Sequence, residues 1–450
     1  MYLQRINILA EHLKQTDQLN SNNNYLDSNH CSSKTTTAST MNQQQPLKRT
    51  AIVSYCRTPM GGFNGSLASF NAVDLASLTI REAISRCTKH CPDFINNIDE
   101  VLLGNVMSAN LGQAPAKQAS LNAGIPPSVP CTAINKVCAS GMKAVMFGSQ
   151  LIQTGACEVV VAGGFESMSN VPYYLPNVRN SGLRMGNGTL VDGMLKDGLT
   201  DPFGGFHMGI AAEKCSKDYS ITKQQQDEYA ITSYRRALEA TKNNHFAEEI
   251  VPVKIAGIKG KPDTFVTQDD EINNANYEKL GNLQPAFQKD GSGTVTAGNA
   301  SVISDGASII ILMSEEKAKQ LNIPIIAFIS GCADAAQEPI QFTTTPAIAI
   351  PKALKNANIP IEKVDLFEIN EAFSVVALSN MKILNIPHSK INIYGGAVAL
   401  GHPLGSSGSR IICTLISALK QTNGKIGVAS ICNGGGGASA VECDDLPINI

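Results

Sequence analysis

Four short stretches place reactive side chains where the chain is expected to change direction. In NKVCASGMKA, residues 135–144, Cys138 follows a polar run, and Met142, Val145, Met146 and Leu151 recur after it at roughly helical spacing. Asn135 and the small pair Ala139-Ser140 mark the helix entrance. A thiol there faces unpaired N–H groups and the positive dipole end, which favour thiolate and predict a lowered pKa. A packed cysteine beside a buried helix has the same spacing, and the local sequence does not separate the two readings. In NIYGGAVALGHPLGSSGSR, residues 392–410, glycines flank His402 on both sides and let substrate and backbone approach one imidazole closely. In SICNGGGGASA, residues 430–440, Cys432 ends an apolar strand before four glycines. Side-chain-free backbone at a strand end exposes N–H groups, as an oxyanion site requires, although a glycine-rich hairpin reads the same way. In FEINEAFS, residues 367–374, Asn370 and Glu371 follow a strand, so a polar side chain can reach a site at the sheet's edge. Two cysteines, a histidine and an asparagine in such settings form a covalent acyl-transfer constellation, with cysteine as nucleophile and histidine as its base.

These groups need a framework to bring them together. From residue 50 onward, apolar β-branched runs such as EVLLGNV, CEVVVAGG, ASIIILMS and KVDLFEIN alternate with helical stretches, which predicts α/β layers with buried sheets. Between about 168 and 292 the texture becomes richer in charge, Gly, Pro and Tyr, as an inserted domain between two α/β halves would be. The expected division is a polar tether over 1–46, a first half over 47–167 plus 293–320, the insert over 168–292, and a second half over 321–450. Residues 14–46 are dominated by Asn, Gln, Ser and Thr, and bury too little apolar surface to offset their ordering entropy.

Composition narrows the function. The 450 residues carry a formal charge of −2, which leaves no basic footprint for nucleic acid. No apolar run approaches the ~18–20 residues of a membrane span. The twelve cysteines contain no C-x-x-C pair, so zinc-site spacing is absent and free thiols in a reducing compartment are expected. The glycines around His402 fit no G-x-G-x-x-G register, which argues against a dinucleotide redox cofactor.

Taken together, NKVCASGMKA, DGLTDPF with HMG, TVTAGNAS, NEAF, GGAVALGHPLGSSG and CNGGGGASA, in that order, closely resemble the thiolase family, in particular its acetoacetyl-CoA-forming branch. The resemblance runs from about residue 50 to the C-terminus. It implies two similar αβαβα halves with five-stranded sheets and an inserted loop domain, acyl-CoA substrates, and ping-pong chemistry interconverting two acetyl-CoA with acetoacetyl-CoA and CoA. It assigns Cys138 as the acyl carrier, His402 as its base and Cys432 as the second acid/base. The N–H groups of Cys138 and Gly434 become the thioester oxyanion donors, and Asn370 holds a water that joins His402 at the enolate oxygen. Leu199, His207, Met208, Lys261, Ser301 and Phe373 fall at coenzyme A positions, Lys261 standing where some bacterial members place an arginine. The animal mitochondrial type binds potassium, and its ligand positions match Tyr234, Ala297, Gly298, Ala300 and Val398, mainly through carbonyl oxygens. That type carries a Phe-Pro pair that admits a 2-methyl branch, where this chain reads Phe342-Thr343.

The family is dimeric or a dimer of dimers, and YYLPNVRNSGLRMGNG is the expected tetramer contact. A long-chain 3-ketoacyl-CoA thiolase is the nearest rival, and a non-catalytic lipid-carrier relative a rival of another class. Retention of Cys138, Asn370, His402 and Cys432 together argues against the latter. Near the N-terminus, Arg5-Ile6, five residues, then His12-Leu13 resembles a peroxisomal targeting signal read by an import receptor. Cytosol and mitochondrion are the alternatives, the second disfavoured by Glu11 and Asp17.

Overall fold

The computed structural model describes residues 47–180, 182–257, 260–273 and 277–444, so the targeting-like stretch 5–13 and the tether lie outside the described residues. Leu47–Ile450 forms one compact unit. The first half runs β1 (Thr50–Arg57), α1 (Ala72–Thr88), β2 (Glu100–Gly104), α2 (Pro115–Asn122), β3 (Cys131–Ile134), α3 (Ser140–Gln153), β4 (Val159–Ser167) and, after a long insertion, β5 (Ser304–Ser314). The insertion carries α4 (Met208–Asp218) and α5 (Lys223–Lys242). The second half runs β6 (Ala327–Ala336), α6 (Pro346–Ala357), β7 (Leu366–Ile369), α7 (Ser374–Leu384), α8 (Leu404–Thr422), β8 (Gly427–Asn433) and β9 (Gly437–Asp444).

The two halves repeat one topology. Outward from β1 the order is β5, β4, β2, β3, with two antiparallel pairings followed by two parallel ones. Outward from β6 it is β9, β8, β7, then a parallel bridge from Phe367 to Ile391, with the same sequence of pairings. The fifth strand of the second half is thus reduced to a single bridge. β1 and β6 pair antiparallel at the seam and join the halves into one sheet. Between β4 and β5 lies the whole insertion, where the second half has only the glycine turn between β8 and β9.

Alternation along the strands divides the core into layers. Val160 and Ala162 of β4 and Ala429 and Ile431 of β8 face a central cluster with α3 and α8. Val159 and Val161 face the opposite way, into a cluster with α1, and Val428 and Cys432 into one with α6 and α4. α8 is buried from Leu404 to Leu419, a helix enclosed by sheet and helix on every side. Such enclosure requires close backbone approach. A Cβ on Gly141 of α3 would lie 2.7 Å from the Gly405 carbonyl oxygen, and one on Gly164 of β4 only 1.9 Å from it.

The insertion is tied back to the first strand by a buried ion cluster. Arg57 donates from Nε to Glu249 at 2.6 Å and from its two terminal nitrogens to Asp269 at 2.6 and 3.0 Å. All three side chains are fully buried, so the charges depend on one another for compensation. Among the described residues no helix is long and apolar enough to cross a membrane.

Candidate active site

The turn that presents Cys138 is strained. Val137 has φ +48°, a left-handed conformation that a β-branched residue rarely adopts and that costs about 1–3 kcal/mol. Its neighbours hold it there. The Val137 N–H donates to Asn135 Oδ1 at 2.9 Å, and Ser140 Oγ donates to the Val137 carbonyl at 2.6 Å while accepting from the Lys136 N–H at 2.8 Å. Lys136 ties the turn to the other half: its Nζ reaches Ser439 Oγ at 2.8 Å and the Ala438 carbonyl at 3.3 Å, and it pairs with Asp334.

Cys138 faces the cavity, and the backbone N–H groups of Gly434 and of Cys138 itself are directed at its sulfur. The lowered pKa expected from the helix position is not found. Cys138 stands one residue ahead of the helix cap at Ala139, partly buried and packed against apolar neighbours at the cavity. Burial pushes its pKa up to about 12, outweighing the two N–H donors, with the Glu166 carboxylate adding to the rise.

His402 is fixed from both sides. Its Nδ1 lies 2.6 Å from Ser407 Oγ, which donates its own proton to the Pro403 carbonyl at 2.8 Å. Ser407 can therefore only accept from the ring, so Nδ1 carries the proton and Nε2 is left as the basic nitrogen. Burial lowers the imidazole pKa to about 3, with the Arg410 charge acting in the same direction. Nε2 lies 3.5 Å from Asn370 Nδ2, and Asn370 Oδ1 is buried without a hydrogen-bond partner, an acceptor that an ordered water would satisfy.

Cys432 and Gly434 lie at the β8–β9 hairpin, as the hairpin reading of the glycine run expects. Asn433 pairs with Gly437 across it, while Gly434 lines the cavity. Cys432 is fully buried and is not among the residues lining the cavity, and its pKa is raised well above the ordinary thiol value, first by burial and then by Cys138.

The cavity encloses about 790 Å³ including its open mouth and is lined by Cys138, His402, Gly434, Leu199, His207, Met208, Ala300, Ser301 and Phe373 among the residues expected from the sequence. Met168, Phe287, Phe342 and Leu404 also line it, and of these only Phe342 carried any signal, through its pairing with Thr343. Phe287 stacks on His207 with centroids 4.7 Å apart and meets Phe373 edge-on at 6.4 Å, giving the cavity an aromatic wall. His207 caps α4 by accepting from the Gly209 N–H at 3.0 Å, which leaves its other nitrogen as a donor. Lys261 does not join this set: it is exposed, between the short strands Val253–Ile255 and Thr264–Val266.

Of the five potassium positions, Ala300 alone lines the cavity, while Val398 is fully buried and Tyr234 nearly so. The local backbone fits a carbonyl-ligated cation. Where Ala300 bridges Phe373, the bonds run from Ser374 N to Asn299 O and from Ser301 N to Ala372 O, so the Ala300 carbonyl takes no part. The buried Glu371 carboxyl lies nearby, accepting from the Val398 N–H at 3.1 Å.

Residues 50–316 match the thiolase N-terminal domain and residues 323–444 the thiolase C-terminal domain. The chain belongs to the thiolase family. An acetyl-CoA acetyltransferase of Gibberella zeae, described as cytosolic, is 54% identical, the match covering 88% of this chain and 98% of that protein. A thiolase from Ascaris suum, solved in complex with coenzyme A, superposes with a TM-score of 0.82 at 44% identity, over 89% of this chain and all of that one. The acetyl-CoA acetyltransferase of Bacillus anthracis gives 0.85 at 38% identity with the same coverage.

Proposed function

We infer that this protein is an acetyl-CoA C-acetyltransferase, interconverting two acetyl-CoA with acetoacetyl-CoA and CoA. The observation that carries the reading is the convergence of Cys138, the His402 ring and the Gly434 backbone on one apolar cavity. In this reading Nε2 of His402 takes the Cys138 proton as sulfur attacks the thioester carbonyl, and the proton leaves on the sulfur of departing CoA. The N–H groups of Cys138 and Gly434 stabilise the tetrahedral oxyanion. Cys432, acting as its thiolate, then removes an α-proton from the second acetyl-CoA. The enolate, held by His402 and a water on Asn370, attacks acyl-Cys138, and the departing Cys138 thiolate takes that proton from Cys432, which restores both groups.

A kinetic series of 3-ketoacyl-CoA thioesters tests this, with fastest thiolysis expected at four carbons. A maximum at sixteen carbons would assign the chain to long-chain β-oxidation instead. Radiolabelled acetyl-CoA should acylate the wild type but not Cys138→Ala, and labelling of that variant at the wild-type level would remove Cys138 from its role.

The finer properties belong to the same reading. Residues 168–292 act as the coenzyme A-binding insert, through Leu199, His207 and Met208. Potassium is held by the carbonyls of Ala297, Gly298, Ala300 and Val398 with Tyr234, and is checked by activity in potassium against sodium buffers. The exposed apolar side chains Tyr173, Leu183, Met185 and Leu190 pack against further copies of this chain, Met185 being 97% exposed, and light scattering should give a tetramer. Residues 1–46 direct the enzyme to peroxisomes through an import receptor. A reporter carrying them should be punctate, and a diffuse signal places the enzyme in the cytosol.

A further inference from the structure

We propose that Glu166 is a positioning residue for the acyl-transfer site described above, clamping the start of the helix that follows His402 against the half that carries Cys138. It deepens that reading and rests on it. By the repeated topology Glu166 is the counterpart of Cys432. Gly104 ends β2 opposite Gly164, and Ile369 ends β7 opposite Ser430, so Glu166 and Cys432 each stand two residues beyond the matched pair. Asn105 and Asn370 likewise each follow the last residue of the neighbouring strand. One half has an Asn–Cys pair at this place and the other an Asn–Glu pair.

The carboxylate is fully buried, and every partner it has donates. Oε1 accepts from Asn105 Nδ2 at 2.8 Å and from the Met107 N–H at 3.2 Å. Oε2 accepts from the Val106 N–H and the Gly405 N–H, both at 3.0 Å. Gly405 is the second residue of α8, whose first-turn N–H groups have no partner within the helix. One carboxylate therefore holds the 105–107 loop of the first half and the start of α8 of the second, three residues after His402. Met107 and Leu404, which flank these two contacts, pack in one small apolar cluster with Met168 at the cavity. Four donors and no acceptor demand the ionised form, because a carboxyl proton or an amide NH2 would point at an N–H. Burial opposes this and raises the Glu166 pKa to about 7, so the anion is held against its desolvation by the clamp itself.

The test uses Glu166→Gln and Glu166→Asp in the full chain beside the wild type. Gln turns one of the two oxygens into a donor, while Asp keeps the charge but withdraws it by one methylene from Gly405. Both variants should lose about 10- to 100-fold in kcat for thiolysis of acetoacetyl-CoA, with KM for CoA within about twofold, since Glu166 itself does not line the cavity. Iodoacetamide alkylation of Cys138 should slow alongside kcat. If the Gln variant does not fold, the Asp variant carries the test alone. A folded variant of either kind with kcat within about twofold of wild type overturns the proposal, as does a loss expressed in KM alone. Should the wild type itself form no acyl-Cys138, it is the acyl-transfer reading that fails.

Discussion

Cys138 and His402 are counterparts in a repeated topology: each stands two residues ahead of the helix that follows, α3 in one half and α8 in the other. Those helices lie side by side in the central layer, close enough that a Cβ on Gly408 would approach the Met142 nitrogen to 2.5 Å. Two equivalent loops are thereby brought to one cavity, each supplying one member of the proposed nucleophile–base pair.

The tautomer of His402 depends on one hydroxyl. Ser407→Ala removes the acceptor for Nδ1–H and lets the proton move to Nε2, where the imidazole no longer acts as base. The kcat for thiolysis should fall about 10- to 100-fold with little change in coenzyme A affinity, read by steady-state kinetics and calorimetry.

The resting pair is thiol and neutral imidazole, since burial holds Cys138 at about 12 and His402 at about 3. Alkylation of Cys138 by iodoacetamide should then rise about tenfold per pH unit between about pH 6 and 9. A plateau beginning below about pH 7 would reveal a preformed thiolate–imidazolium pair instead.

The same burial makes the fold acid-sensitive. An unfolded histidine titrates near about 6.5, so below that pH the unfolded chain binds a proton that native His402 refuses. Stability is unaffected above about 6.5 and falls as pH drops toward about 3, by up to about 1.4 kcal/mol per unit. Urea unfolding at pH 7 and 5 should show a larger loss for wild type than for His402→Gln.

Close approach at the α8–β4 crossing leaves no room for a methyl group. Gly164→Ala places its Cβ against the Gly405 carbonyl and should cost about 3 kcal/mol or more. Gly281→Ala meets nothing within 4 Å and should change stability by less than about 0.5 kcal/mol, with thermal denaturation comparing the two.

Removing one partner of the buried ion cluster strands the others. Asp269→Ala leaves the Arg57 guanidinium without its bidentate partner and should destabilise the fold by about 3–5 kcal/mol in urea titration.

Much of the site was legible because its residues mark boundaries. Cys138, His402 and Cys432 stand at helix starts and strand ends among small residues, and those settings follow from local spacing. The direction of the Cys138 shift was not legible. A helix start favours thiolate wherever it lies, while burial depends on what the rest of the chain packs over it. Phe287 carried no signal, since it reaches the cavity only through the return of the insertion between β4 and β5, and Met168 carried none because only the end of β4 brings it there. Ser407 was hidden among small residues in GSSGS, and its partner became visible only once the turn at Pro403 fixed its direction. The two similar halves came from the family resemblance and not from the residues themselves, because equivalent positions carry unlike side chains, Glu166 against Cys432.

The seam strand also sets a timetable for synthesis. Thr50 of β1 pairs with Ser314 and with Ile329, both more than 250 residues further along. At about 5–20 residues per second, a ribosome needs roughly 10–50 seconds to deliver those partners after β1 has emerged. Throughout that interval an eight-residue strand destined for full burial has no lawful neighbour. Its unpaired edge makes the nascent chain a client for holding factors, and a likeness of β1 added in trans during refolding should compete for the same vacancy.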